Sequence, residues 1–285
     1  MTTYQGQEFS ALLPIYAKAS PDELGRCISS ILAQSVRPSE LVIVEDGPIT
    51  QGLEQVLDQH SREWVRRVRL PRHRGLGTAL QEGLAKCSYS LVARVDADDV
   101  SVPRRFEWQL AHFASNPKTA VLGGILSETF FLNRNNARPV QFNRVLPVNP
   151  VKLQSFAKFR NPINHPTVMF RKEAVLAVGG YQDCPYFEDY FLWARMLKAG
   201  HPFANLPQVL VETEANDDYF DRRTGEQYRL HERDFARKLS EIGFHSRLEG
   251  AVFLLSRIPL RWMSKGLMRK FYAGMLRRAS SVVEI

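Results

Sequence analysis

The stretch Leu91-Val-Ala-Arg-Val-Asp96-Ala-Asp98-Asp99 runs from a short apolar segment directly into a cluster of carboxylates. The apolar segment is bounded by turn residues, which predicts a buried strand of a parallel sheet. Carboxylates this close repel one another, and each raises its neighbours' pKa unless a cation compensates. Oxygen ligands without histidine or cysteine suit Mg²⁺ or Mn²⁺, ions that proteins often share with substrate phosphates. An acidic turn that caps the next helix is the alternative, but the position at a strand end favours a metal site.

Strand-like and helix-like segments alternate on both sides of this stretch. Strands are predicted at 9–15, 41–44, 65–70, 91–95 and 120–122, and helices at 21–34, 53–61, 76–87 and 103–114. The first helix has a clear start signal, because Ser20 stands at the N-cap position and Pro21 at the first helical position. The alternation predicts an α/β fold in which helices cover both faces of a mainly parallel sheet. Ligands of such sheets bind beyond the carboxyl ends of the strands, where Asp96 and Glu45-Asp46 should meet.

The second half of the chain has a less regular pattern. Residues 133–166 are richer in proline and asparagine, which predicts short strands and loops. A strand is predicted at 167–170, a helix at 173–178, a turn at Gly179-Gly180, and a helix at 187–199 that ends at Gly200. The last sixty residues are predicted to be helical.

The composition is that of an ordinary soluble globular protein, with 285 residues of which 44% are hydrophobic and 24% charged. Cys27, Cys87 and Cys184 lie far apart without a C-x-x-C pair. We therefore expect a reducing compartment and neither a disulfide framework nor a zinc site. Residues 1–9 lack a signal-peptide pattern, and no apolar run approaches the roughly 18 residues that span a bilayer. Neither cleavable export nor membrane crossing is expected.

Most of the excess positive charge lies near the C-terminus. The chain has a net charge of +8 and a pI of about 9.5, whereas residues 247–278 contain eight basic residues against Glu249 alone. Apolar residues recur there at roughly helical spacing: Phe253, Leu254, Ile258, Trp262, Met263, Leu267, Phe271 and Met275, with Pro259 as a break. A basic amphipathic helix with aromatic residues is typical of a segment that lies on an anionic membrane. A helix that packs on the core and exposes a basic face is the alternative.

Three further motifs are candidates for nucleotide binding or chemistry. Glu45-Asp46-Gly47 follows a predicted strand, where a carboxylate can bind a base or a ribose, or can simply form a glycine turn. Arg72-His73-Arg74-Gly75-Leu76-Gly77 places cations and glycines before a helix, which favours phosphate but matches neither a Walker loop nor G-x-G-x-x-G. Glu188-Asp189-Tyr190 starts a helix, where an acid can act as a general base or merely complement the helix dipole. His165 lies upstream of it, and a lone histidine is more often structural.

In this order the motifs resemble inverting glycosyltransferase family 2, whose fold is the nucleotide-diphospho-sugar (GT-A) type. The matching stretches are Leu13-Pro14-Ile15-Tyr16, Glu45-Asp46-Gly47, Arg74-Gly75-Leu76-Gly77, Asp96-Ala-Asp98-Asp99 with Pro103 and Arg104, and Glu188-Asp189-Tyr190 with Trp193 and Arg195. The resemblance is strongest to bacterial transferases of O-antigen and exopolysaccharide assembly. Several of those add galactose in β1,3 linkage to an N-acetylhexosamine on undecaprenyl diphosphate.

The resemblance implies a role for each matching residue. Residues that would bind the nucleotide sugar are Pro14, Ile15, Tyr16, Glu45, Asp46, Arg74, Asp96 and Ala97, with Asp46 on the uracil. Asp98 would hold Mn²⁺ or Mg²⁺, with Asp99 close by. Asp189 would be the base, with Glu188 as the second candidate, and His165, Tyr190 and Arg195 would lie near the acceptor or diphosphate. This chain has Glu45 where many members have Asp, and Arg72-His73-Arg74 where many have Asn.

The resemblance also implies the domains, partners and location. Residues 1–215 would form the GT-A domain, with a nucleotide-sugar half at about 9–125 and an acceptor half at about 126–215, and residues 216–285 a basic helical extension. The partners would be a UDP-sugar, a lipid-diphosphate-linked sugar and, through the extension, the inner face of the bacterial cytoplasmic membrane. Other hexosyltransferases of the family are the nearest alternative.

Three other interpretations compete with this one. A sugar-1-phosphate nucleotidyltransferase usually has a glycine-rich basic loop after the first strand, whereas Pro14-Ile-Tyr16-Ala-Lys18 follows here. A nucleic-acid-binding protein would explain the pI, but it needs basic residues interleaved with aromatics along a groove, and the nucleotide-like half is close to neutral. No nucleic-acid partner is therefore expected. An inactive relative that binds membranes is the third possibility.

Overall fold

The first half of the chain alternates strands and helices as predicted. The structure, a computed structural model, describes residues 6–130, 140–215 and 225–257. The strands are β1 (Phe9–Ile15), β2 (Glu40–Glu45), β3 (Val65–Arg69) and β4 (Leu91–Arg94), and the helices between them are α1 (Pro21–Leu32), α2 (Gln51–Gln59) and α3 (Leu76–Lys86). Ser20 caps α1 by accepting a hydrogen bond from the Glu23 backbone N–H at 3.4 Å, which confirms the predicted start.

These four strands are adjacent and parallel in one sheet, in the order β3-β2-β1-β4. Alternate residues of β1 enter two different cores. Phe9, Ala11 and Leu13 pack against α1, α2 and the later helix α4 (Arg105–Ser115) on one face, whereas Leu12 packs against α3 on the other. Ile15 pairs with Glu45, and the Val95 backbone N–H donates to the Leu12 carbonyl at 2.9 Å, so the carboxyl ends of β1, β2 and β4 meet at one edge.

The second half extends the sheet with both parallel and antiparallel strands. Its elements are β5 (Asp99–Ser101), α4, β6 (Val121–Phe130), β7 (Val140–Arg144), α5 (Pro150–Ala157), β8 (Met169–Arg171), α6 (Lys172–Ala177), α7 (Glu188–Lys198) and β9 (Phe203–Ala215). The order continues from β4 as β8-β6-β9-β5, and β7 pairs with β6. Strand β8 is antiparallel to β4 and β6, whereas β9 is parallel to β6 and antiparallel to β5.

Several predicted boundaries in this half were wrong. The strand predicted at 120–122 extends over Val121–Phe130, and a 3₁₀ turn over His165–Thr167 occupies the start of the strand predicted at 167–170. Strand β9 was not predicted at all. The predicted end of α7 is confirmed, since Gly200 adopts a φ of +81° just after the helix.

Two further helices, α8 (Glu226–Glu241) and α9 (Arg247–Leu255), pack on α7. The rings of Phe187 and Phe235 stack at 4.5 Å, and Phe253 of α9 is fully buried among them. The described part of the predicted helical extension therefore shares a core with the rest of the protein. Its predicted break at Pro259 and the apolar residues from Ile258 to Met275 lie outside the described residues, as does the predicted boundary at 216. Among the described helices none is long and apolar enough to cross a membrane.

Candidate active site

The carboxylates of Asp96, Asp98 and Asp99 come together beyond the end of β4, as predicted. One oxygen of each lies within 4.8 Å of the others, a spacing that could hold a metal ion. Asp98 is exposed, Asp96 is half-buried and Asp99, the first residue of β5, is buried. The cluster therefore presents one carboxylate to solvent and one to the interior.

Two buried arginines support this cluster, and sequence reasoning did not assign them a role. The guanidinium of Arg94 binds both oxygens of Asp96 and is 3% exposed. Arg105 is fully buried and donates to the Arg94 carbonyl at 2.6 Å and to the Ser101 hydroxyl at 3.0 Å. A charge is rarely buried without a partner, so these cations compensate the acids and fix the strand end. An arginine inside an apolar strand run was the signal available in the sequence.

Asp99 has the property expected of a cation ligand. Burial, and then the charges of Asp96 and Asp98, raise its pKa well above the usual range, opposed by a hydrogen bond from the Thr213 side chain. Its Oδ2 atom is buried without a hydrogen-bond partner in the described part of the chain. A buried carboxylate oxygen without a partner is costly, and a divalent cation would satisfy it. The residues present thus fit Mn²⁺ or Mg²⁺.

The two acids at the end of β2, Glu45 and Asp46, have hydrogen-bond and ion-pair partners within the protein. Asp46 accepts hydrogen bonds from the backbone N–H groups of Arg74 at 2.7 Å and Gly75 at 2.9 Å, and its Oδ2 lies 2.8 Å from His73 Nδ1. Glu45 pairs with Arg67 at 2.6 Å and with Arg69 at 3.2 Å. Both acids are buried. Asp46 therefore shapes the loop before α3, whereas Glu45 binds arginines of β3. Direct contacts of Glu45 and Asp46 with a nucleotide stay predictions.

The predicted nucleotide edge carries an exposed pair of rings. Tyr16 follows β1, is 41% exposed and stacks on His73 with ring centroids 5.7 Å apart and planes at 24°. Pro14 and Ile15 are buried in β1, and Ala97 packs at the edge of the core below the acid cluster. Stacked rings at the rim suit a planar base, since base–aromatic stacking tolerates any base.

The start of α3, which follows the loop at the predicted nucleotide edge, lies close to the start of α7, where the candidate general base is found. Gly75 precedes the helix with a φ of +88° and without a side-chain cap, so the first N–H groups of α3 remain available to an anion. Arg74 is half-exposed and contacts Glu82 at 3.2 Å. A Cβ atom at Gly77 would lie 3.0 Å from Glu188 Cγ, which shows how closely the starts of α3 and α7 approach.

Glu188 and Asp189 open α7 in different surroundings. Asp189 accepts hydrogen bonds from Asn161 Nδ2 at 2.5 Å and from the Tyr190 N–H at 2.7 Å. Burial raises the pKa of Asp189, and the Asn161 and Tyr190 hydrogen bonds and the charges of Arg94 and Arg144 oppose that rise. Burial also raises the pKa of Glu188, to about 7. Asn161 orients Asp189 as a third group orients a catalytic base, and no motif in the sequence indicated it.

The three residues predicted near the acceptor have internal partners. His165 lies 2.9 Å from the Tyr181 hydroxyl, and burial lowers the pKa of this histidine well below its usual value. The Tyr190 hydroxyl donates to the Ala157 carbonyl at 2.8 Å. Arg195 donates to the carbonyls of residues 178 and 180, at 2.5 and 2.7 Å. Acceptor or diphosphate contacts of these residues stay predictions, and none of the described contacts supports them.

Comparison with known proteins identifies the family. Residues 10–178 match the family described as Glycosyl transferase family 2. The chain belongs to glycosyltransferase family 2. It is 35% identical over 272 residues to the amylovoran biosynthesis glycosyltransferase AmsE of Erwinia amylovora, covering 93% of this chain and 97% of that one. It is 31% identical to the UDP-Gal:alpha-D-GlcNAc-diphosphoundecaprenol beta-1,3-galactosyltransferase of Escherichia coli, covering 95% and 97% of the two chains.

A solved structure shows that the fold is GT-A-like, as predicted. Residues 1–349 of S. aureus TarS in complex with UDP-GlcNAc align with a TM-score of 0.66 at 15% identity, over 90% of this chain and 74% of that one. The family match at 10–178 includes the acid cluster but ends before Glu188 and Asp189. For this family 2 glycosyltransferase, the choice of base therefore rests on the geometry at the start of α7.

Proposed function

We propose that this glycosyltransferase moves a hexose from a UDP-sugar, with inversion, onto an N-acetylhexosamine carried on a lipid diphosphate. The observation that carries the proposal is the acid cluster, in which one carboxylate oxygen each of Asp96, Asp98 and Asp99 lies within 4.8 Å of the others. Arg94 binds Asp96 in the acid cluster, and its charge also acts on Asp189 at the start of α7. We therefore propose a cation site for a diphosphate at this cluster, with Asp189 as the general base for an acceptor hydroxyl.

The donor and the linkage are proposed from the relatives. The E. coli relative is named for UDP-galactose, a β1,3 linkage and an N-acetylglucosamine on diphosphoundecaprenol. The AmsE relative is named for the biosynthesis of amylovoran. We propose UDP-galactose and a β1,3 linkage for this chain in exopolysaccharide or O-antigen assembly, with another hexose donor as the alternative.

We propose a single displacement at the anomeric carbon, in which each group of residues has a separate role. Asp98 and Asp99 would hold Mn²⁺ or Mg²⁺, which when bound supplies positive charge for a diphosphate leaving group. The rings of Tyr16 and His73 would bind the uracil ring of the donor, and Arg74 with the start of α3 would bind its diphosphate. Asp189 takes the proton of the acceptor hydroxyl, whose oxygen forms a bond to the anomeric carbon from the face opposite UDP. The bond from that carbon to the β-phosphate oxygen breaks, UDP leaves with the electron pair, and an α-linked donor gives a β-linked product.

Because the proposed acceptor is carried on a lipid, we propose that the enzyme acts at the inner face of the cytoplasmic membrane. Leu248, Val252 and Leu255 recur along α9 at intervals of four and three residues, and each side chain is exposed. An apolar stripe on a helix that precedes further basic residues supports the proposed contact with an anionic membrane. Flotation with anionic vesicles, compared with zwitterionic vesicles, tests it; equal recovery with both vesicle types would count against charge-driven binding.

A donor screen tests the activity. UDP-galactose, UDP-glucose and UDP-N-acetylglucosamine are each offered with Mn²⁺ and a synthetic GlcNAc-diphosphate-alkyl acceptor, and the product linkage is read by NMR. We expect a β1,3-galactosyl product. Asp189→Asn is expected to lower kcat by about 10³-fold because the acceptor proton loses its base. Asp22→Asn changes an exposed acid in the first turn of α1 and serves as the matched control. Transfer that survives Asp189→Asn unchanged would refute the base assignment.

A further inference from the structure

Tyr186 stands out in the described chain as a strained residue beside the candidate base. Its φ is +69°, and within residues 6–130, 140–215 and 225–257 the other residues with positive φ are glycines. This conformation costs a bulky L-residue on the order of 1–2 kcal/mol. Glycine would adopt it without that cost. Because glycine would avoid this strain, we infer that tyrosine is present at this position for the contacts that its side chain makes.

The Tyr186 ring is held in place but half of it faces solvent. It packs on the rings of Tyr228 and His231 of α8, with centroids 5.2 and 5.5 Å apart. The side chain is nevertheless 49% exposed, whereas Tyr228 beneath it is buried. One part of the ring is therefore exposed, while its contacts with Tyr228 and His231 restrict its motion. A ligand that binds the exposed part would cost little side-chain conformational entropy.

The segment that carries this ring leads directly into the start of α7, where the candidate base lies. Tyr186 lies two residues before Glu188 and three before Asp189, and its backbone acts to lower the pKa of the Glu188 carboxyl against the larger effect of burial. Gln182 of the same segment approaches the start of α3, with its carbonyl 3.4 Å from a Cβ placed at Gly77. A ligand stacked on Tyr186 would thus lie on the α8 side of the proposed base.

We propose that Tyr186 is the platform on which the acceptor sugar stacks, with Tyr228 and His231 as its support. The apolar C–H face of a pyranose suits the electron-rich face of an aromatic ring, and tyrosine adds a hydroxyl for hydrogen bonding at the rim. This inference rests on the proposed function, because it places the acceptor hexosamine of that reaction. It assigns the acceptor to a residue different from His165, Tyr190 and Arg195, whose polar groups have internal partners.

Substitution of Tyr186 separates acceptor binding from donor binding. Tyr186→Gly removes the ring and relieves the backbone, and this relief offsets the packing lost on Tyr228 and His231, so the melting temperature should change little. The KM for the GlcNAc-diphosphate-alkyl acceptor should rise by about tenfold, the loss expected from one aromatic stacking contact. The KM for the UDP-sugar and the acceptor-free hydrolysis of the UDP-sugar should stay within about twofold. Tyr186→Phe keeps the platform, and its acceptor KM should stay within about threefold of the wild-type value.

Tyr89→Ala is the control, since Tyr89 lies just before β4, at the opposite edge of the sheet from the acid cluster. Saturation-transfer NMR with the same acceptor provides a binding measurement that does not need turnover. An unchanged acceptor KM and saturation transfer in Tyr186→Gly would overturn the inference, as would an equal rise in the donor KM. If no donor is transferred or hydrolysed by the wild type, the proposed function fails instead, while saturation transfer to the acceptor still tests Tyr186.

Discussion

Replacing Glu188 by glutamine should make the protein more stable at high pH. Burial raises the pKa of the Glu188 carboxyl from its ordinary value of 4.5 to about 7. At 1.36 kcal/mol per pH unit, this difference makes the charged form about 3 kcal/mol less favourable in the folded chain than in the unfolded chain. The sign follows from the raised value: stability from this group is complete below pH 4.5 and is lost as pH rises towards 7.

Glutamine has the same shape and does not ionise, so Glu188→Gln removes this loss. The free energy of unfolding, from urea titrations followed by tryptophan fluorescence, should differ little between variant and wild type near pH 4.5 and increasingly above it. The difference should grow by about 2 kcal/mol between about pH 5.5 and about pH 8.5. Glu173→Gln is the matched control, because Glu173 is an exposed acid in the first turn of α6. It should show no such growth.

The same variant tests which acid is the base. If Asp189 accepts the proton, Glu188→Gln should retain kcat within about tenfold, whereas loss of a general base costs 10²–10⁴-fold. A Glu188→Gln protein that is no more stable than wild type at about pH 8.5 would refute the burial argument. Loss of transfer in Glu188→Gln together with an active Asp189→Asn would exchange the two assignments.

Two further predictions concern the acid cluster and its arginines. Asp99→Asn should raise the Mn²⁺ concentration needed for half-maximal activity by about tenfold or more, because it weakens a proposed ligand. Asp22→Asn should leave that concentration unchanged. An unchanged Mn²⁺ titration for Asp99→Asn would count against the proposed metal site. Arg94→Met should lower the free energy of unfolding in urea by about 3 kcal/mol, since it leaves Asp96 without its buried partner, whereas the exposed Arg104→Met should cost under about 1 kcal/mol. Equal losses for the two arginines would contradict the burial argument.

The nucleotide half was predictable because its signals are local. Buried parallel strands are continuous apolar runs, and the N-cap at Ser20 and the acids at Asp96 and Asp98 stand directly in the sequence. Even here the partners of the acids were hidden. Asp46 was assigned to the uracil, yet its oxygens hold backbone N–H groups at Arg74 and Gly75, a contact that depends on how a loop folds back.

The acceptor half was less predictable because its strands depend on distant pairing. Strand β9 contains Pro207 and alternates irregularly, and it forms because β6 and β5 lie on either side of it. Register shifts near Gly123 and Ile125 interrupt its pairing with β6, which blurs the period of two that predicts a strand. Asn161 was missed for the same reason, since its contact with Asp189 spans 28 residues.

These distant pairings make the acid cluster depend on the acceptor half. Asp99 opens β5, whose partner in the sheet is β9, and Asp99 pairs with Thr213 there. The backbone N–H of Arg94, whose side chain binds Asp96, donates a hydrogen bond to the Val168 carbonyl at 3.0 Å. The predicted nucleotide-sugar half at 9–125 therefore cannot bury its own ligand Asp99 without strand β9. A cation at the cluster and an ordered acceptor half should stabilise each other, because any ligand that binds one arrangement shifts the population of the other.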